Sequence, residues 1–212
     1  FSALAGFVAS RYVGESANSS IRGFSDNKIH SMNAGTVLNK PSEDYGASTN
    51  ASVLGRVTYD YQNKYLATVN FRADGSSKFG VNNRWGYFPS FSLGWRLTGE
   101  EFMKPLDWLS DLKLRVGWGQ VGNDQVGYYS SYGIYGIGAN YNMDGVILPG
   151  YYQSQIGNDK LRWERTTQTN VGLDFSFLNG RMTLTADAYY KKTTDLLLMV
   201  KLPQTSGFDS GM

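Results

Sequence analysis

The 212-residue sequence carries few side chains that could make or break bonds. It has one histidine, His30 in the polar stretch "SDNKIHSMN", and no cysteine. A His-based triad needs a serine on a strained elbow and an acid in a recognisable chain order, and neither is present. Without cysteine there is no disulfide framework and no thiolate metal site. "NMDG" at Asn142–Gly145 lacks the alternating carboxylates and closing Glu of a calcium loop. "GIYGIGAN" at Gly133–Asn140 is glycine-rich, but no βαβ pattern surrounds it, so a dinucleotide reading fails. "GSSK" at Gly75–Lys78 lacks phosphate-loop spacing, and Asn18-Ser19-Ser20 and Asn50-Ala51-Ser52 match glycosylation acceptors at chance frequency. The expectation is a non-enzymatic chain without cofactor or metal.

Binding chemistry is better represented. The chain holds 15 Tyr and 25 Gly, and aromatics make up 15% of it. The segment Val121–Lys160 concentrates Tyr128, Tyr129, Tyr132, Tyr135, Tyr141, Tyr151 and Tyr152 among Gly, Asn and Ser. Tyrosine offers large contact area at low entropic cost, so this is the candidate ligand or partner loop. The equal alternative is a loop packed on itself. Net charge is +2, from 20 basic and 18 acidic residues, which argues against nucleic acid as a partner.

Seven stretches must position these groups, and nearly all alternate with period two. They are "SALAGFVAS", "SVLGRVTYDY", "YLATVNFRAD", "SFSLGWRL", "LKLRVGWGQ", "TTQTNVGLDFSF" and "RMTLTADAYYK". In the fourth, Phe91, Leu93, Trp95 and Leu97 oppose Ser90, Ser92, Gly94 and Arg96. Leu54 and Leu66 are misfits on otherwise polar faces. Arg56, Asp60, Arg72, Arg96, Lys113, Arg115, Asp174, Asp187 and Lys191 all avoid the apolar parity. An Arg or Lys facing lipid at the midplane would cost ~2–4 kcal/mol, so such sorting suits a polar interior and a lipid-facing exterior. The stretches run about nine to twelve residues, matching the ~9–11 of a tilted spanning strand. Arg72, Arg96, Lys113 and Arg115 are thus expected to face a lumen.

The connections alternate in length. Gln62–Lys64 and Leu178–Gly180 are tight, and Thr98–Asp111 is compact, with a short helix begun by Glu100-Glu101. Ser10 to Asn50, Gly75–Tyr87 and Val121–Lys160 are longer. Short turns at one end and long loops at the other are the asymmetry of an outer-membrane barrel. Tyr59, Tyr61 and Tyr65 flank a tight turn on the apolar parity, where an interfacial aromatic girdle belongs, and Trp85 and Tyr87 mark the opposite interface. Aromatic β-propensity alone is the rival explanation. The fold expected is all-β: residues 1–212 form an antiparallel transmembrane β-barrel segment of about seven strands within one domain. Seven strands cannot enclose a polar lumen unaided, so further strands are required.

"GRVTYDYQNKYLATVNFRADGSSKFGVNNRWGYFPSFSLGWRLTGEEFM", "LSDLKLRVGWGQVGND" and "LRWERTTQTNVGLDFSFLNGRMTLTADAYYKKTTDLLL" resemble SusC/RagA-type TonB-linked outer-membrane transporters, typical of Bacteroidetes. The resemblance covers most of the chain from about Ala51. It implies a plugged barrel of about 22 strands. It also implies import of a nutrient ligand, a glycan or peptide, with a SusD-like surface lipoprotein as lid and energy from the TonB complex through a plug. No signal peptide, plug domain or TonB box is visible, so the sequence reads as a middle-to-late slice of the barrel embedded in membrane lipid. Two alternatives stand beside this reading: a passive outer-membrane porin, and a soluble carbohydrate-binding β-sandwich.

Overall fold

The computed structural model describes residues 1–212 except Asn27, His30 and Asp209, so the His30 reading lies outside the described residues. Seven strands build one antiparallel sheet in strict chain order. They are β1 (Ser2–Asn18), β2 (Ser42–Tyr61), β3 (Tyr65–Ser76), β4 (Trp85–Arg96), β5 (Leu109–Asn123), β6 (Glu164–Phe177) and β7 (Met182–Thr194). The meander read from the period-two pattern is therefore present, strand for strand. The other paired strands among the described residues are four two-stranded ribbons outside these seven strands.

The short turns follow from local chemistry. Gln62 and Asn63 sit at φ 54°, and Leu178 and Asn179 at φ 51° and 55° with Gly180 at 82°. Consecutive left-handed residues give the turn a twist that matches the flanking strands. Asp60 Oδ1 accepts from the Asn63 amide at 2.9 Å, and the Lys64 amide donates to Tyr61 O at 2.9 Å. The third connection at this end holds two 3₁₀ turns, Leu97–Gly99 and Glu101–Met103. The helical turn expected at Glu100-Glu101 is present as a 3₁₀ turn rather than an α-helix, with Glu100 at its N-cap.

Strand length departs from expectation. β1 and β2 run 17 and 20 residues and stay paired from Ser2↔Thr58 to Asn18↔Ser42. The long connection expected from Ser10 to Asn50 shrinks to residues 19–41, and those expected at Gly75–Tyr87 and Val121–Lys160 become 77–84 and 124–163. The reason is that "SEDYGASTN" is polar on both faces. Beyond the hydrocarbon a ribbon is held by backbone pairing and needs no apolar face, so the periodic signal fades while the ladder continues. The long connections also contain small hairpins, Ile134–Ile137 with Tyr151–Gln155 and Tyr141–Met143 with Val146–Leu148.

Register joins Tyr61, Tyr65, Trp95, Leu114, Leu173 and Ala186 in one lateral row. All six belong to the apolar parity, so the faces stay coherent across the sheet. The misfits have room made for them. Leu54 lies 3.2 Å from where Gly6 would carry a Cβ, and Leu66 lies 3.4 Å from that of Gly94. Each glycine accepts a leucine on the polar face. The apolar face has no cover: Val69, Leu93 and Leu184 are 56%, 51% and 55% exposed. An apolar surface of this extent marks a membrane or partner interface.

Candidate functional site

The polar face is a network of paired charges. Arg72 Nε donates to both Asp74 oxygens, at 2.7 and 2.8 Å, and Arg72 Nη2 reaches Ser52 Oγ at 3.4 Å. Arg56 Nε donates to Asn70 Oδ1 at 2.6 Å, and Asn70 Nδ2 passes the chain to Ser90 Oγ at 3.1 Å. Arg115 forks onto Asp174 at 2.8 and 3.0 Å and onto Asp187 at 3.0 Å. Arg96 Nε lies 3.3 Å from Asp111 Oδ1, a charge pair without hydrogen-bond alignment. The register puts Lys113 opposite Arg96 on this same face. The four cations named from parity, Arg72, Arg96, Lys113 and Arg115, therefore share one side of the sheet.

A concavity of about 750 Å³ opens on this face, lined by Arg56, Asn70, Arg72, Asp74, Phe88 and Trp163 among others. It offers donors, acceptors and two aromatic rings, with its charges largely matched. Phe88 and Trp163 escaped the sequence reading. Phe88 sits on the polar parity and is only 6% exposed. A Cβ on Gly122 or Gly86 would overlap its ring, so these two glycines make its slot. Trp163 closes the slot, 5.5 Å from Phe88 edge-on and 5.3 Å from Phe79. Its indole Nε1 donates to Arg84 O at 2.8 Å. A tryptophan in the polar run "KLRWERT" was the available signal.

Phe79, Val126 and Leu161 complete a small core where the longer connections converge. Asp124 fastens it, accepting from Ser76 Oγ at 2.9 Å and lying 3.7 Å from Lys78 Nζ. Asn83 Nδ2 donates to Asp159 O at 2.8 Å. From this knot the tyrosine-rich segment folds back over the sheet. Tyr128 stacks on Tyr12 at 6.2 Å and lies against Gly46, and burial pushes its hydroxyl pKa up. Gln155 Nε2 ties Tyr129 O and Tyr132 O, at 3.1 and 3.0 Å. Tyr135 and Tyr141 lie apart on the two small hairpins, 70% and 53% exposed. The structure thus brings Tyr128, Tyr129 and Tyr132 together and leaves Tyr135 and Tyr141 outside.

The apolar face ends in aromatic rows. Tyr59, Tyr61, Tyr65 and Trp95 stack in series at 6.5, 6.4 and 6.5 Å. At the other end Trp85 covers Gly75, and Tyr87 stacks on Phe71 at 6.2 Å. Trp85 and Trp95 are the first and penultimate residues of β4. Ten residues at ~3.3 Å, tilted about 40°, span ~25 Å, the height of a barrel's apolar band.

Glu100 stands at the N-cap of the 3₁₀ turn Glu101–Met103, but its side chain does not cap it. Its carboxylate accepts from Tyr65 Oη at 2.6 Å and from Trp95 Nε1 at 3.2 Å, with Lys64 Nζ at 3.5 Å. The Tyr65 hydroxyl above all, then the Trp95 indole, hold its pKa below the ordinary Glu value. A carboxylate with depressed pKa stabilises the fold above the unfolded-state value and loses that contribution as pH falls through the folded value. Thermal stability of wild-type protein should therefore fall on acidification below about pH 4.3. Glu100→Gln should flatten that part of the profile. Superimposable pH profiles of melting temperature for the two proteins would contradict this.

Among the described residues no group of His, Asp and Glu has the arrangement of a metal site. No helix is long and apolar enough to cross a membrane, which leaves strand crossing untouched. Comparison with known proteins decides the family. The profile described as "TonB dependent receptor-like, beta-barrel" matches residues 3–210. The chain belongs to the TonB-dependent receptor β-barrel family. It is 38% identical over 209 residues to TonB-dependent receptor P39 of Formosa agariphila, covering 98% of this chain and 20% of that protein. It is 44% identical over 172 residues to TonB-dependent receptor SusC of Bacteroides thetaiotaomicron, covering 78% and 17%. The solved RagAB peptide transporter superposes with a TM-score of 0.85 at 31% identity, covering 99% of this chain and 23% of that one. The chain thus spans about a fifth of the length of the curated relatives it matches. Barrels of this family reside in the outer membrane, and the SusC/RagA resemblance read from the sequence holds.

Proposed function

We propose that this chain is a wall segment of a TonB-dependent outer-membrane nutrient importer, non-enzymatic, taking up an oligosaccharide or a peptide. One observation carries the reading: seven consecutive strands put lipid-compatible side chains on one face and paired charges on the other. In this reading Arg72, Arg96, Lys113 and Arg115 face the lumen. Tyr59, Tyr61, Tyr65, Trp85 and Tyr87 lie at the two interfaces. The turns at 62–64 and 178–181 are periplasmic, and the longer connections are external. Further strands of the same barrel domain continue from β1 and β7, and a plug outside this segment couples to the TonB complex. The exposed Tyr135 and Tyr141 hairpins contact a SusD-like surface lipoprotein or the ligand. The names of SusC and the RagAB peptide transporter among the relatives support transport as the theme.

Disrupting the complete gene should abolish uptake of one class of glycan or peptide, and disrupting TonB should do the same. Uptake that survives loss of TonB would favour the passive porin instead. Recovery of the full-length protein from the aqueous phase without detergent would overturn the membrane reading itself.

A further inference from the structure

The lipid-facing parity is almost free of charge, and the exceptions are ordered by sign. Register places Arg11 opposite Thr49, Arg165 opposite Gly122 and Thr194, and Lys192 opposite Thr167. By residue parity along their strands all three fall in line with Val69, Leu93 and Leu184. Each is the first charge of that parity met on its strand when moving from the apolar band toward the external end. All three are exposed. None has an ion-pair partner among the described residues.

Their heights coincide. The lateral row from Tyr65 to Ala186 starts beside its turn on β3 but lies four residues past Met182, the start of β7. Rows therefore climb about one residue per strand, as tilted barrel strands require. Corrected for that climb, Arg11, Arg165, Lys192 and Trp85 fall within about one residue of a common level. That level is the external edge of the apolar band. Beside Arg11 lies a groove of about 560 Å³, whose lining includes Ala9, Thr49, Gly75, Arg84 and Trp85. Acidic residues on the same parity, Glu15 and Glu43, come only farther out, on the extended β1–β2 ribbon.

We infer that Arg11, Arg165 and Lys192 form a cationic belt that binds phosphate-bearing lipid head groups of the outer leaflet. A bare cation at this height has its stem in hydrocarbon and its charge in the head-group layer. Three such cations on three strands, with no carboxylate between them, select for anionic head groups. The inference rests on the membrane-spanning orientation proposed above.

The test uses the full-length protein, purified in detergent and exposed to mixed micelles of phosphatidylglycerol and phosphatidylcholine. Native mass spectrometry reads which lipid is retained. Wild type should retain phosphatidylglycerol preferentially. Each of Arg11→Gln, Arg165→Gln and Lys192→Gln should lower that preference roughly five-fold. The triple variant should abolish it, while Arg11→Lys and Arg165→Lys preserve it. Heat-modifiable gel mobility shows that a variant is folded, and the single variants keep the test decisive should the triple variant not assemble. Folded variants with wild-type lipid preference would overturn the belt. A protein that never enters detergent or bilayers would overturn the orientation beneath it, a separate and recognisable result.

Discussion

Trp163→Ala is expected to release the outer mouth while leaving the seven-stranded sheet paired. Trp163 packs against both Phe79 and Phe88 and also bonds the backbone of another connection, at Arg84 O. Trp163 is half-buried, so its removal should cost somewhat less than the ~3–5 kcal/mol of a fully buried aromatic. The lost hydrogen bond adds less. Arg84 O also accepts from the Ser76 amide at 3.0 Å, so the carbonyl is not orphaned. The loss falls on the segments that Trp163 joins, residues 77–84, 124–133 and 156–163. Strand amides are held by their own ladders, although the outer end of β4, at Gly86 and Phe88, packs against Trp163. Hydrogen exchange on full-length protein in detergent should show these segments opening faster, with β2 and β3 unchanged. Trp163→Phe should fall between, since it keeps a ring and loses the indole donor. Uniform acceleration across strands and loops, or none anywhere, would refute the latch.

A pair of neighbouring substitutions should separate the two faces. Val69 and Thr68 are adjacent on β3 and point to opposite sides, Val69 beside Phe91 and Val57, Thr68 beside Ser92 and Thr58. Val69 lies near the middle of the apolar band, between Tyr65 and Gly75. Val69→Arg should therefore destabilise the full-length barrel by ~2–4 kcal/mol in a bilayer, the cost of a cation facing lipid near the midplane. Thr68→Arg enters a face that already carries arginines and carboxylates and should cost far less. Denaturant unfolding from lipid vesicles measures the difference directly. Equal effects at the two positions would remove the argument from parity.

Much of the architecture was legible because a strand in a membrane must satisfy two solvents at once. Period-two alternation in "SFSLGWRL" or "RMTLTADAYYK" reports an apolar face on one side and a polar one on the other, and strand order followed from short turns. The limits of legibility have the same origin. The polar ends of β1 and β2 carry no alternation, since water surrounds both faces there, and their pairing is invisible without the register. Glu100 reads from its neighbours as the start of a helical turn, which its backbone does cap, but the role of its side chain was not legible. Its partners, Tyr65 and Trp95, lie on other elements that meet only across the turn.

The sequence by itself determined the parity of each strand and the family. Side-chain parity is a local property, so residue order is enough to state it. Only the tertiary structure decided which side chains meet. The slot of Phe88 between Gly86 and Gly122, the latch at Trp163 and the common height of Arg11, Arg165 and Lys192 all depend on the register between strands. Register is set jointly by turn geometry and by packing across neighbours, so it cannot be read from any one strand alone.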